Sequence, residues 1–493
     1  MSFMIKNSLC IFLALVLLIP NMVIATPLDF SGGVNNEYVY EEIVFITGEP
    51  IKFVGTFSVS EKERKGEETV SYKFSLEPED SSINGKLDRK ITYITEISNH
   101  NTKGQTIGQT EVSKYSETIK MDKDKYVLDD YQFSKSDVID NRPASDFYSG
   151  NFKGRKYYKI NKNEGEVIVE ISGGNVGYEN FWGSTETQII DQVITSKHST
   201  KEDDDKDEKE ESWKGTVSIQ VSDSLAKSLR YSDNNASLSS FDGGHIRVSN
   251  RNVVSRYEYK LPKDKGTIKL NQDMVPRLER LIVPKFRDVN GHWAEESIEK
   301  LYSLDVFDDN SNVFSPDTPA NRMEFTKAII RACDIRPSME EGKTSRTSRR
   351  RRNKEPEISY FRDVAVDNPN YEYIKGGLEK GIIEGLSKDI FGPERSLTRA
   401  QAITILIRAL GFENRAPNPG YVTSFTDDTR IPNWAKDSIY VAREINLVQG
   451  DASNRVNPNK VLTRAEASAM IVRFLEFLEK DLQRDYRENI VNY

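Results

Sequence analysis

The sequence predicts a multidomain chain: a β-rich, antiparallel, sandwich-like N-terminal region joined to an all-α domain of three helical repeats. Two patterns carry this. Across residues 26–270 the apolar side chains alternate with period two, which places one face of each strand on a core and the other in water. From Phe286 the period becomes helical, and a phrase returns three times: Asn321-Arg322-Met323-Glu324, Thr398-Arg399-Ala400-Gln401 and Thr463-Arg464-Ala465-Glu466. Each copy follows an aromatic-plus-Asp opening: Phe286-Arg287-Asp288, Phe361-Arg362-Asp363 and Phe425-Thr426-Asp427. A phrase that returns at nearly fixed internal spacing marks a tandem repeat.

Taken in order, residues 1–25 read as a signal peptide. Lys6 supplies the positive start, Cys10 to Ile19 the apolar run, and Val23-Ile24-Ala25 the cleavage site. The run is short for a spanning helix, so no retained membrane span is expected. Cleavage leaves one cysteine, Cys333, read as a small buried helix residue. At 493 residues the chain exceeds one ordinary core. A net charge of −8 excludes the strong basic bias of a nucleic-acid binder.

In the β-rich region, residues 26–270, strand patterns include Ile51 to Val59, Val70 to Leu76, Ile91 to Ile97, Val217 to Val221 and Tyr257 to Leu261. Turn signals such as Asn84-Gly85 and Asn163-Glu164-Gly165 separate strands. No long helical pattern intervenes, which argues against parallel crossover units. The acidic run Lys201 to Glu211 has two readings, a calcium loop or a solvated loop. It lacks glycine-pivoted ligand spacing, so the solvated loop is preferred and no metal is expected. Tyr178, Phe181 and Trp182 suit sugar stacking or packing, and packing is preferred. No nucleophile elbow, zinc-protease motif or phosphate loop is present, so neither enzyme activity nor a cofactor is expected. Abundant carboxylates leave a glycosidase pair open.

Residues 271–285, with Pro276 and Pro284, read as a linker. The repeats then occupy 286–335, 359–415 and 422–480. A basic insertion at 336–358 carries Arg349 to Arg352, and 481–493 form a tail. The insertion reads as a solvated loop. The recurring phrase is a capping box, in which the Thr or Asn accepts from the third helical N–H and the Glu or Gln reaches back. Arginine has no part in the box, and a cation there opposes the helix dipole. A guanidinium beside free helix N–H groups would instead make an anion site.

These features resemble the S-layer homology domain in three tandem copies. The first is carried by Phe286 to Val289, His292-Trp293-Ala294, Phe314-Ser315-Pro316 and the Arg322 phrase. The second is carried by Phe361 to Val364, Leu378 to Ile382, Phe391-Gly392-Pro393 and Thr398; the third by Phe425, Trp434-Ala435, Gly450 and Thr463. The resemblance implies a pseudo-threefold prong that binds cell-wall polysaccharide non-covalently, typically a secondary wall polymer bearing pyruvylated sugar. It implies grooves lined by Arg322, Arg399, Arg464, Asp288, Asp363, Asp427, Trp293, Trp434, Gly385 and Gly450. Two departures matter. Pro369 stands where the second repeat would have Trp, and Asp309 where the first would have its loop glycine. The first-repeat site, grouped with Arg322, is therefore expected to be weakest.

The resulting expectation is a secreted, non-enzymatic protein of the cell wall or S-layer. Its N-terminal region, whose partner is unknown, would be a surface-layer or interaction module. A wall-anchored polysaccharide-active enzyme and an adhesin are the alternatives.

Overall fold

A computed structural model describes residues 30–482, except 65, 101–103, 201–208, 233–243, 284–285, 309–310 and 334–357. The signal segment, most of the acidic run, Asp309, nearly all of the basic insertion and the tail from residue 483 lie outside the described residues.

The strands are β1 (Val34–Asn35), β2 (Tyr40–Val44), β3 (Ile51–Arg64), β4 (Glu67–Pro78), β5 (Gly85–His100), β6 (Gln105–Met121) and β7 (Asp124–Asn141). They continue as β8 (Ser145–Ile160), β9 (Gly165–Asn180), β10 (Gly183–Thr200), β11 (Lys209–Ser232), β12 (Gly244–Lys260), β13 (Lys265–Asp273) and β14 (Arg277–Arg280). Each of β1 to β12 pairs antiparallel with the next, and β14 pairs with β12. Tight turns enforce this meander. Asp122, Asn161 and Lys162 take the left-handed backbone that such reversals need. Register shifts at Thr92/Tyr93 and Leu128/Asp130 mark bulges, which bend and twist a sheet.

The sheet curls until its start meets its end, giving a barrel- or sandwich-like body. The Tyr257 hydroxyl donates to the Gly32 carbonyl. Asn36 Nδ2 donates to Gln272 Oε1 at 2.9 Å, and the Val275 N–H to Glu37 Oε1 at 2.8 Å. The inner face buries Phe53, Phe74, Leu87, Phe152, Ile190, Ile219 and Tyr257 in one cluster.

The helices are α1 (Glu295–Ser303), α2 (Arg322–Ala332), α3 (Tyr371–Glu379), α4 (Arg399–Leu410), α5 (Asn433–Glu444) and α6 (Arg464–Glu476). Among the described residues, no helix is long and apolar enough to cross a membrane. The second helix of each repeat packs on the first helix of the next: α2 on α3, α4 on α5, and α6 back on α1. An isolated antiparallel bridge sits at each joint: Asn321 with Ser396, Thr398 with Val461, and Pro319 with Thr463. The repeats thus close a ring around a shared core that includes Phe325, Ile374, Leu406, Ile439 and Ile471. Cys333 is buried at the end of α2.

That core also takes in Ala144 and Trp182 of the sheet. The Ala144 N–H donates to the Ala409 carbonyl at 2.9 Å, and Asn180 Nδ2 to the Leu478 carbonyl at 3.1 Å. Trp182 is therefore packing, as the plainer reading of the aromatic cluster expects. The segment read as a linker is docked on the sheet by strand pairing. β13 and β14 carry the sheet into it, while Leu278 and Ile282 stay exposed. Leu281 does reach the helical core.

Inside the sheet, four charged side chains are buried together. Arg89 forks onto Glu42 with two 2.8 Å bonds and reaches Glu117 at 2.8 Å; Lys156 meets Glu117 at 2.9 Å. Burial pushes the Glu117 carboxyl up, but Arg89 and Lys156 outweigh it and hold the group at about 2. Removing one partner from such a cluster strands the others, so Glu117→Gln should cost about 3–5 kcal/mol in urea unfolding. The contribution of Glu117 is complete above its ordinary value of 4.5 and fades as pH falls toward about 2. The variant should lose less stability than the parent across that window, which parallel unfolding curves at stepped pH will measure.

Candidate ligand grooves between the helical repeats

Each recurring phrase caps a helix and joins two repeats at once. Thr398 and Thr463 close full capping boxes with Gln401 and Glu466, whereas Asn321 accepts from the Glu324 N–H at 2.7 Å. The first two helical N–H groups go to the neighbouring repeat. Arg322 and Met323 donate to the Arg395 and Pro393 carbonyls, Arg399 and Ala400 to Lys460 and Pro458, and Arg464 and Ala465 to Thr318 and Pro316. The expected partnership of a guanidinium with free helix N–H groups is therefore not what the structure shows. The cap and the joint take up those donors, and the guanidinium lies apart from them.

The structure also changes how the site residues group. Arg322 of the first repeat lies over Phe391 of the second and donates to the Glu384 carbonyl. Arg399 of the second repeat donates to the Gln449 carbonyl of the third at 3.2 Å. Arg464 of the third lies over Phe314 of the first. Each arginine thus enters the groove of the following repeat, so the first repeat's groove receives Arg464 rather than Arg322. The cyclic closure causes this shift, and linear spacing carries no sign of it.

The three opening aspartates hold loops. Asp288 accepts from the Phe314 and Ser315 N–H groups at 2.9 and 2.6 Å. Asp363 accepts from Phe391 and Gly392 at 2.9 and 2.7 Å, and Asp427 from Val456 and Asn457 at 2.9 and 2.8 Å. For Asp288, burial pushes the carboxyl up, but the two backbone donors outweigh it and leave it below the usual range. Gly385 and Gly450 are also fixed by their own loops. A Cβ would stand 2.2 Å from the Ser387 carbonyl oxygen or 2.8 Å from the Asn454 backbone. Trp293 and Trp434, in the first and third repeats, remain 65% and 55% exposed.

The arginines are not equivalent. Arg464 Nη1 pairs with Glu324 Oε1 at 2.8 Å. Arg322 is only 6% exposed, and burial, then Arg408, lowers its guanidinium to about 10. Arg399 is half-buried; burial lowers its guanidinium, while Glu466 and Asp451 act on it electrostatically in the opposite sense. A compact cavity between the first and third repeats is lined by Phe314, Met323, Glu324, Lys327 and Arg464.

Capped helices closing a ring, with an arginine of each repeat reaching into the next, define a cyclic helical repeat module. Residues 285–326, 360–403 and 424–468 match the S-layer homology domain family, so this part of the chain carries three S-layer homology repeats. The chain is 30% identical over 194 residues to an exoglucanase, XynX, of Acetivibrio thermocellus, covering 39% of this chain and 16% of that protein. It is 28% identical over 207 residues to a surface-layer 125 kDa protein of Lysinibacillus sphaericus, covering 41% and 16%. It is 32% identical over 98 residues to a cellulosome-anchoring protein of the first organism, covering 20% and 22%. The chain therefore spans less than a quarter of each of these relatives. The relatives named as enzymes match through their S-layer homology regions. The repeats indicate a cell-surface or cell-wall location.

Loop-holding and ligand-facing residues should separate in melting curves. Asp427→Ala leaves two backbone donors without their carboxylate and should cost about 2–3 kcal/mol. Thr463→Ala removes a cap and should cost about 1 kcal/mol. Arg399→Ala should cost less than about 1 kcal/mol, because its backbone N–H still makes the joint.

Proposed function

We propose that the protein is anchored non-covalently to cell-wall polysaccharide through its three repeats, with Arg399 as the principal contact for an acidic group of a pyruvylated secondary wall polymer. The observation that carries this is the composition of the groove between the second and third repeats. There the half-buried Arg399 enters a repeat whose Trp434 is exposed and whose loop keeps Gly450. The other grooves are less open to an anion. Glu324 holds Arg464, and Arg322 is buried over Phe391 in a repeat that has Pro369 in place of Trp. The β-rich region is then the surface-layer or interaction module that the anchor displays. Its role does not follow from the relatives, which share the repeats.

Co-sedimentation of the full chain with purified wall sacculi tests this. Losing a charge-assisted contact weakens binding by about 10- to 100-fold, so Arg399→Ala should do so while Arg322→Ala has a smaller effect. Glu324→Gln should strengthen binding at the Arg464 groove by releasing its internal carboxylate. Retained binding by Arg399→Ala, or loss of binding by Glu324→Gln, contradicts the assignment. Sacculi stripped of secondary polymer should bind none of the proteins.

A further inference from the structure

A second site lies outside the repeats, where the inner face of the curled sheet opens toward the helices. Cross-strand pairing sets Asp146, Glu179, Ser184, Leu225 and Arg251 in one row across β8 to β12. Strand alternation puts this row on the same face as the core residues Phe152, Ile171, Ile190, Ile219 and Tyr257. The depth of the sheet combines that apolar cluster with buried polar and charged side chains, among them Glu186 and Gln188, and its mouth is polar. The mouth opens into a cavity of about 730 Å³, walled by the sheet and completed by Cys333 and Lys380 of the repeats. Barrel mouths are frequent ligand sites, and this volume is within the usual range of roughly 300–1,000 Å³.

The wall is built for a polar occupant. Ser184 is 2% exposed and lines the cavity, yet its hydroxyl has no hydrogen-bond partner among the described residues. Ser145, also buried and lining the cavity, is in the same state. Deeper on the same face, Asn175 and Gln188 are cross-strand neighbours whose side-chain carbonyl oxygens also lack partners. Native proteins rarely leave such groups unmatched, and Ser184, Asn175 and Gln188 share one face of the sheet.

The charges select the class of ligand. Asp146 and Glu179 are direct cross-strand neighbours, so a lone anion would meet two carboxylates. Lys227, Lys380, Arg277, Arg142 and Arg251 line the same cavity, the last two paired with Asp140 and Asp223, and would oppose a lone metal cation. A polyol suits both, because its hydroxyls donate to carboxylates and accept from ammonium groups. We propose that this mouth binds a short saccharide of one or two rings, with Asp146, Glu179 and Ser184 as its hydroxyl partners. The proposal is independent of wall binding by the repeats.

The acid–base state of the wall supplies a further readout. Burial pushes the Asp146 carboxyl up, Lys380 pulls it down and Glu179 pushes it further, leaving it at about 6 although its edge is open to water. Burial also raises Glu179, against Lys227. Affinity should therefore fall as pH drops below about 6, where Asp146 stops accepting from two hydroxyls.

The test is titration calorimetry of the full chain with cellobiose, maltose and N,N′-diacetylchitobiose, with inorganic phosphate as a control. At least one disaccharide should bind with a dissociation constant near or below about 1 mM. Glu179→Gln, isosteric and at a partly open position, should weaken binding about tenfold or more, as should Ser184→Val, while Arg399→Ala keeps it. Melting curves check that each variant is folded. The proposal is overturned if none of the three sugars binds, which would leave water as the occupant of the mouth. It is equally overturned if phosphate alone binds, or if binding survives Glu179→Gln but is lost in Arg399→Ala.

Discussion

The donation of helix N-terminal N–H groups into the next repeat is the interaction on which the helical part depends. Helix starts leave backbone donors without intrahelical partners, and burying them unpaired is costly. Here the first two of each second helix are matched by carbonyls from the following repeat, and the third by a cap. No repeat can satisfy its own helix start, so the joint forms only when neighbours are present. The ring closes because Arg464 and Ala465 find the same kind of carbonyls, at Thr318 and Pro316, in the first repeat. This is also why the phrase begins with a small polar cap and continues straight into the helix.

That closure makes the grooves unequal through a single helical position. The third residue of each capped helix is Glu324, Gln401 or Glu466. Gln401 and Glu466 return to their own caps, and Glu466 also pairs with Lys460. Glu324 follows an asparagine cap and pairs with Arg464 across the ring. The same side chain therefore completes a cap in one repeat and answers a neighbour's arginine in another. Sequence variation at this position can tune groove charge without disturbing the joint, because the joint is made by backbone.

Much of this was legible in the chain. Period-two alternation marked the strands, and the recurring phrase marked both the capping boxes and the three helix pairs. The residues lining the grooves were visible as types, but their partners were not. Arg322 reads as belonging with its own repeat because sequence distance is linear, whereas the ring is cyclic. The aspartates were placed among the groove residues by the resemblance alone, and the backbone donors of Phe391 and Gly392 add that Asp363 holds a loop. The mouth of the sheet was out of reach for a related reason. Asp146, Glu179 and Ser184 become neighbours through long-range register, which alternation alone leaves undetermined.

The two parts are not beads on a string. Arg142 lies over both Phe147 of the sheet and Phe412 of the repeats, and donates to the Gly411 carbonyl at 3.3 Å. Gly411 takes the left-handed backbone that ends α4, so that carbonyl is presented by the helix terminus itself. Ala144, Trp182 and Asn180 add packing and hydrogen bonds from the neighbouring turns of the sheet. Domains joined by small polar contacts move freely, whereas a shared apolar core resists it. The sheet is thus seated on the ring at the ends of β8 to β10, the same ends that carry the polar mouth. Whatever holds the ring to the wall also fixes where that mouth faces, and Lys380 brings the second repeat into its wall.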